Sequence, residues 1–575
     1  MLRLFKYLKP YLTNVVAVLV LVFFQSLSEL YLPTLMSNIV DTGIVKGDTS
    51  YILKVGSIML LVALAGTICA ILASFLASKA AMGFGKILRN EVFMRVESFS
   101  LPEFNKFGTS SLITRTTNDI TQMQQLMMVI LRMMVSAPLM CIGGIIMAVS
   151  KDAKLSLVIV VIIPILTVAI YLLTKKTVPL FQTMQVKLDK LNLVLRESLT
   201  GIRVIRAFNR IDYENERFQA ANRDLTGTAV KVFKMMATLM PSMMLLLNLT
   251  TLAIVWFGGI RIDNGYMQVG DLMAFIQYVM QIMFSLLMVS MMFVMIPRAS
   301  ASASRINEVL ETVPTILDPE LANSAPHLRG YVEFKNVTFS YPGAEKPALK
   351  QISFTAKPGQ TTAIIGGTGS GKSSLLNLLM RFYDVDSGSI LVDGVDIKEM
   401  SQASLRSKIG YVPQKAVLFT GTIADNIRYG KEDATDEEVW QAGETAQATE
   451  FITGMKEGIN SIIAQGGTNV SGGQKQRLSI ARALIRRPEI YAFDDSFSAL
   501  DFKTDAKLRL ALKKETLNST VLIIAQRVST VRDADQIIVL DEGEIVDVGN
   551  HQELLNSCNI YKEIVYSQLS EEELA

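Results

Sequence analysis

Long apolar runs separated by charged segments fill the first half of the chain. Val15 to Val40 contain a single charge, Glu29, and Val55 to Ser78 contain none. Between Val129 and Thr174 the only charges are Arg132, Lys151, Asp152 and Lys154, and three of these cluster. That stretch reads as two spans joined by a tight polar turn. Met235 to Ile260 and Leu272 to Pro297 are again uncharged. Each run meets the requirement of about 20 apolar residues for a bilayer-crossing helix, so the pattern predicts six spans. Lys and Arg set the orientation. Arg3, Lys6 and Lys9 precede the first span, Lys79, Lys86, Arg89 and Arg95 follow the second, and Lys175, Lys176, Lys187 and Lys190 follow the fourth. The turns Asp41–Ser50 and Arg261–Gly270 are short and poor in positive charge. Both termini are therefore expected on the cytoplasmic side of a multi-pass cell-membrane protein.

The two segments after spans two and four are long and have few Gly or Pro, so the spans should continue as helices and turn back at polar tips. The expected tips lie near Ser110–Asp119 and Phe208–Asn215. Pro314, Pro319 and Pro326 then break the pattern, and strands such as Tyr331–Phe339 and Thr361–Ile365 follow. The expected fold is a membrane α-helical domain (six transmembrane helices with long cytoplasmic extensions, 1–311), a linker (312–330) and a soluble α/β P-loop nucleotide-binding domain (331–575).

Composition agrees with this division. Half of the 575 residues are apolar and 19% are charged, below the roughly 25% usual in soluble domains. The net charge of +3 gives no reason to expect nucleic acid as a partner. Cys69, Cys141 and Cys558 stand far apart, which argues against a disulfide framework or a zinc site.

The chemistry lies in the second half. Gly366-Gly-Thr-Gly-Ser-Gly-Lys-Ser373 fits GxxxxGK[ST], follows an apolar strand and opens a helix. Backbone amides of Gly366, Thr368, Gly369, Ser370 and Gly371 should cradle phosphate, with Lys372 on the β/γ-phosphates, Ser373 on Mg²⁺ and Ser374 opening the helix. The strand Ile490–Phe493 ends in Asp494, a Walker B pattern whose carboxylate serves Mg²⁺. Between them Ser471-Gly-Gly-Gln474 opens a helix and forms a second anion site. One nucleotide does not need two such N-termini on one chain, so the economical arrangement is a dimer in which each Ser-Gly-Gly faces the partner's P-loop.

These motifs, with Tyr341, Gln414 in Tyr-Val-Pro-Gln and Ser498-Ala-Leu-Asp501, stand in the order found in ATP-binding cassette transporters. With six preceding spans, the whole chain resembles a bacterial ABC exporter half-transporter. The resemblance implies ATP and Mg²⁺ as cofactors. Tyr341 would stack on adenine, Gln414 would sense Mg²⁺, and Ser471, Gly472, Gly473, Gln474 and Asp501 would complete the nucleotide interfaces. It makes the tips coupling helices and Met1–Pro10 an amphipathic elbow.

Two departures stand out. The family usually places glutamate after the Walker B aspartate, where it polarises the attacking water; this chain has Asp495, one methylene shorter. A displacement of roughly 1 Å at a catalytic base costs on the order of 10²-fold in rate. The family usually has histidine in Ala-His-Arg; this chain has Gln526, which cannot become cationic. Val470 and Gln465 also differ from the usual leucine and glutamate. The signature Ser471–Gln474 is intact. The chain is thus expected to be the degenerate half of a heterodimer, its signature serving a competent partner half-transporter.

The expected cargo is amphipathic or cationic drugs, because methionine, 29 residues in all, crowds spans three, five and six and suits promiscuous apolar surfaces. Met283 and Met291 are the candidate cavity residues. Glu29, costly inside a bilayer, is expected to face the cavity, and Arg132 to snorkel or contact substrate. The alternatives are a homodimeric lipid or peptide exporter and a non-transporting ATP-dependent membrane sensor.

Overall fold

The computed structural model describes residues 1–321, 323 and 329–568, with the side chains of 2, 170, 173, 174, 178, 239, 240, 290, 291, 293 and 294 excepted. It divides into two compact units: Met1–Glu97 with Thr109–Thr312, and Ser98–Gly108 with Val313–Ala575. The division after Thr312 falls at the start of the expected linker. The described residues between 312 and 330 form no helix or strand, and Pro326 lies outside them.

The first unit is helical. A 3₁₀ segment, Leu2–Tyr11, leads into α1 (Leu12–Asn38), and α2 (Thr49–Glu97) follows. After α3 (Leu101–Phe107) and α4 (Thr109–Thr114) come α5 (Ile120–Lys151), α6 (Leu157–Thr200), α7 (Ile202–Ala207), α8 (Ile211–Asp263) and α9 (Val269–Glu311). Among the described residues, five helical segments are long and apolar enough to cross a membrane, and α6 adds the shorter apolar run Leu157–Ala169. Ala73, Ala77, Ala80 and Ala81 form a buried small-residue stripe on α2 that packs with Val18 and Val22 of α1. Such stripes allow close helix approach where lipid removes the hydrophobic drive. α5 packs on α9 through Ala148, Phe275, Tyr278 and Ile282, and the Tyr278 hydroxyl meets Thr34 Oγ1 at 2.6 Å and donates to the Leu30 carbonyl. At the far end of α5, Lys151 Nζ lies 2.7 Å from Asp271 Oδ1, and Asp152 pairs with Arg261.

The first tip is not where polarity placed it. The chain turns at Ser98–Gly108, around α3, and this segment groups with the second unit. Ser100 and Glu103 form a capping box with Pro102 in the first turn, and Gly108 ends the helix at φ +73°. The polar run through residue 119 stays helical as α4 and a π-turn, Arg115–Asp119. Its charges are taken up by α9: Arg115 pairs with Glu308, and Asp119 accepts from Arg305 and Ser302. The second turn falls within the expected stretch, preceded by a short extra helix. Gly201 ends α6, α7 follows, and the chain turns at Asn209, φ +50°.

The second unit is built on strands β1 (Val332–Phe339), β2 (Leu349–Ala356), β3 (Thr361–Gly366), β4 (Ser387–Val392), β5 (Val395–Asp396), β6 (Ile409–Val412), β7 (Gly421–Thr422), β8 (Ile462–Ile463), β9 (Ile490–Asp494), β10 (Thr520–Ile524), β11 (Gln536–Asp541) and β12 (Glu544–Gly549). β2-β1-β4-β5 form an antiparallel sheet, and β12-β11-β3-β10-β9-β6 form a sheet that is parallel except for β12. β9 and β10 are buried at every position, as continuous apolar strands of a sheet covered on both faces should be. Helices α10 (Lys372–Leu379), α11 (Gln402–Ser407), α12 (Ile423–Arg428), α13 (Asp436–Thr445), α14 (Thr449–Thr453), α15 (Gly472–Leu484), α16 (Phe502–Glu515), α17 (Val528–Val531), α18 (His551–Ser557) and α19 (Asn559–Tyr566) complete it.

Candidate functional site

Topology gathers the chemistry before any side chain is considered. β10 lies between β3 and β9, parallel to both, with Ile524 opposite Ile364 on one side and Asp494 on the other. The turns leaving the carboxyl ends of these strands therefore meet at one edge, where open α/β sheets bind ligands. Residues 366–372 leave β3, 525–527 leave β10, and Asp495 follows β9. Gln414 lies two residues beyond β6, the other neighbour of β9.

The phosphate loop is shaped for backbone donors. Gly369 and Gly371 hold φ +86° and +97°. A Cβ on Gly371 would lie 2.6 Å from the Ala348 carbonyl oxygen, and one on Gly366 2.0 Å from that of Leu540. The start of α10 opens from this loop, so free N–H groups and the helix dipole converge there. Lys372 is 8% exposed. Its Nζ donates to the Gly366 and Gly367 carbonyls at 2.9 and 2.6 Å. Burial pushes this ammonium below its ordinary pKa, against the pull of Asp495 and Asp494. Ser373 Oγ donates to Asp494 Oδ1 at 2.8 Å. Burial raises the Asp494 carboxyl, the Ser373 hydrogen bond opposes it, and the charge of Asp495 adds to the rise.

Asp495 sits in the left-handed region at φ +45°, sparsely populated by residues other than glycine. Its N–H is tied to the Ile524 carbonyl at 2.9 Å. Gln414 Nε2 donates to its Oδ2 at 3.3 Å. The Gln526 side chain is exposed at the end of β10. Tyr341 stands edge-on to Phe339 and Tyr383, its hydroxyl 2.9 Å from Ser374 Oγ.

Glycine amides, a hydroxyl, a carboxylate and an amide oxygen suit a phosphate chain with a hard cation. Among the described residues no cluster of three His, Cys, Asp or Glu could hold a metal by itself. A cation here would share its coordination with phosphate.

The second anion site is also formed. Ser471 caps α15, its Oγ accepting from Gln474 N while Gln474 Oε1 accepts from Ser471 N. Gly472 is exposed and Gly473 packs 3.1 Å, by its missing Cβ, from the Ala499 carbonyl. Asp501 caps α16, and the Thr504 N–H on its carboxylate lowers its pKa.

Gln568 was given no role by any sequence motif. Its Nε2 donates to the Gln526 carbonyl at 2.8 Å and its Oε1 accepts from Val528 N at 2.8 Å. One amide from beyond α19 thus buckles both sides of the loop after β10.

In the first unit a cavity of ≈ 470 Å³ is lined by Glu29, Arg132, Gln281, Met128, Met288 and their neighbours. Glu29 Oε1 accepts from Gln25 at 2.9 Å, and Arg132 donates to Ser74 Oγ at 3.2 Å. Gln281 Oε1 is buried and has no hydrogen-bond partner among the described residues. Met283 does not line this cavity. It is 3% exposed and packs in the α5–α9 core, because its turn of α9 faces α5. Met291 has its side chain outside the described residues.

Comparison with known proteins fixes the class. The transmembrane-region model of ABC transporters matches residues 15–286, and the ABC transporter model matches 349–498. An uncharacterized ABC transporter ATP-binding protein of Mycobacterium tuberculosis is 44% identical over 98% of this chain and 97% of its own length. A fatty acid ABC transporter ATP-binding/permease protein of Mycobacterium bovis is 35% identical over 82% and 75%. An ATP-dependent lipid A-core flippase of Syntrophus aciditrophicus is 33% identical over 84% and 80%. A solved bacterial Atm1-family ABC exporter with ATP bound superposes with a TM-score of 0.81 at 27% identity, covering 97% of this chain and 98% of that one. The chain belongs to the ABC transporter family. It is a bacterial exporter half-transporter, an ATPase-coupled transporter of a kind that works as a dimer in a membrane.

Proposed function

We propose that this chain is the degenerate half of a heterodimeric exporter that moves amphipathic compounds, cationic drugs among them, out across the cell membrane, with both termini cytoplasmic. The observation that carries this reading is the pairing of Asp495 and Gln526 on adjacent strand ends at one phosphate loop. ATP would supply the phosphoanhydride and Mg²⁺ the charge neutralisation. Lys372 and the loop amides would hold the phosphates, Ser373, Asp494 and Gln414 the cation, and Tyr341 the base. The Asp495 carboxylate stops one methylene short of the usual glutamate and is already engaged by Gln414. Gln526 can donate a hydrogen bond to a phosphate oxygen but brings no charge. This site would keep ATP and turn it over slowly. The exposed Ser471–Gln474 helix start would close on the phosphate loop of a competent partner.

Glu29 and Arg132 support a charged amphiphile as cargo. Each lines the same cavity, and neither is in an ion pair among the described residues. A charge at mid-membrane is costly without a partner or water, and a ligand head group would relieve that cost. Arg132 also favours a second reading, export of an anionic lipid, in keeping with the names of the fatty acid and lipid A relatives. Native mass spectrometry of the complex purified from its own cells tests the first reading. The expected result is one copy of this chain with one different half-transporter. A homodimer with brisk ATPase would overturn it.

A further inference from the structure

A second apolar hollow lies away from the cavity of Glu29. Between α6 and α8 a trough of ≈ 510 Å³ is walled by Val158, Val161, Ile162, Ala253, Phe257 and Ile260. At its end, where the 151–156 turn joins two spans, stand Lys154 and Arg261. The two cations differ. Arg261 is already neutralised by Asp152 and lies over the Tyr266 ring. Lys154 is exposed and makes no ion pair among the described residues. From Ala253 to Arg261 the trough follows α8 for eight residues, about 12 Å at 1.5 Å per residue. That is most of the roughly 15 Å depth of one leaflet. Ala253 leaves space that a larger residue would fill. The order of chemistry along the trough is that of a phospholipid: cation at the interface, hydrocarbon below it.

We infer that this trough is a binding site for one anionic phospholipid, its acyl chain lying between α6 and α8 and its phosphate on the Lys154 ammonium. The uncompensated positive charge selects the head group, and the apolar walls select the chain. A zwitterionic lipid would fill the same space without the charge preference.

The chain carries its own reporter. Of its two tryptophans, Trp440 packs against the soluble core. Trp256 neighbours Phe257 and is 69% exposed. The full-length protein is reconstituted in nanodiscs with brominated phosphatidylglycerol or brominated phosphatidylcholine at equal mole fraction, and quenching of Trp256 is read. One lysine at the interface should favour the anionic lipid about fivefold in relative binding. Lys154→Gln, an exposed change that leaves the helices intact, should abolish the preference. Ala253→Phe, which fills the trough while keeping Lys154, should abolish it too. Equal quenching by the two lipids in the wild type overturns the inference, as does a preference that survives Lys154→Gln. Loss in Lys154→Gln with retention in Ala253→Phe also overturns it, because the attraction would then be to the surface and not to the trough.

Discussion

Gln568→Ala isolates what holds the loop carrying Gln526. The change removes one hydrogen bond to the Gln526 carbonyl and one from Val528 N, both 2.8 Å. Each is worth about 0.5–1.5 kcal/mol net. Gln568 is exposed, so water takes over part of what is lost, and the total is set at about 1–2 kcal/mol. Local opening of the loop should therefore become roughly 5–30 times more frequent. The assay is amide hydrogen exchange at 526–528 in the detergent-purified protein. Val528 N–H should exchange faster by that factor, while the strand amides of β10 keep their protection. Gln568→Glu retains an acceptor for Val528 and loses the donor to Gln526, so it should fall between. Unchanged exchange at Val528 in Gln568→Ala would refute the buckle, as would equal acceleration throughout β10.

Three further outcomes follow from the same geometry. Gly371→Ala forces a side chain into a left-handed backbone, a cost of about 1–2 kcal/mol, and into the Ala348 carbonyl; ATP affinity should fall at least tenfold, read by fluorescent-nucleotide titration. The lowered pKa of Lys372 makes ATP binding pH-dependent: phosphate raises that pKa again, so affinity should be flat at neutral pH and weaken as pH rises through the depressed value. A profile that weakens only at the ordinary lysine pKa would contradict this. Leu101 packs against the core of the second unit, and Asn105 Nδ2 donates to the Tyr383 hydroxyl. Leu101→Asp should therefore leave ATP binding within about twofold but remove stimulation of ATPase by transported compounds.

Much of the site was legible because its motifs carry their own local structure. A phosphate loop needs a strand before it and a helix after it, and both appear as β3 and α10. Asp494 closes β9 as the apolar run before it implied. The misplaced first tip has a physical cause. Polarity marked 110–119 as the turn, yet Arg115 and Asp119 are satisfied by α9 and the helix runs on. The actual turn was announced by the Ser100–Glu103 box, Pro102 and Gly108, which are signals of backbone conformation and not of polarity. The packing of Met283 in the α5–α9 core was not legible, for a different reason. A helix apolar on every face does not declare which face meets a neighbour and which a cavity. Gln568 could not be read at all, since its partners are backbone atoms of a loop 40 residues earlier.

The most direct test of the central claim is Mg-ATP hydrolysis by this chain purified alone, beside the double change Asp495→Glu with Gln526→His. The account predicts a nearly inactive wild type and restored turnover in the double variant, at least about 10²-fold higher from repositioning the carboxylate. Brisk hydrolysis by the wild type, with little gain from the double change, would contradict it and leave an active homodimer.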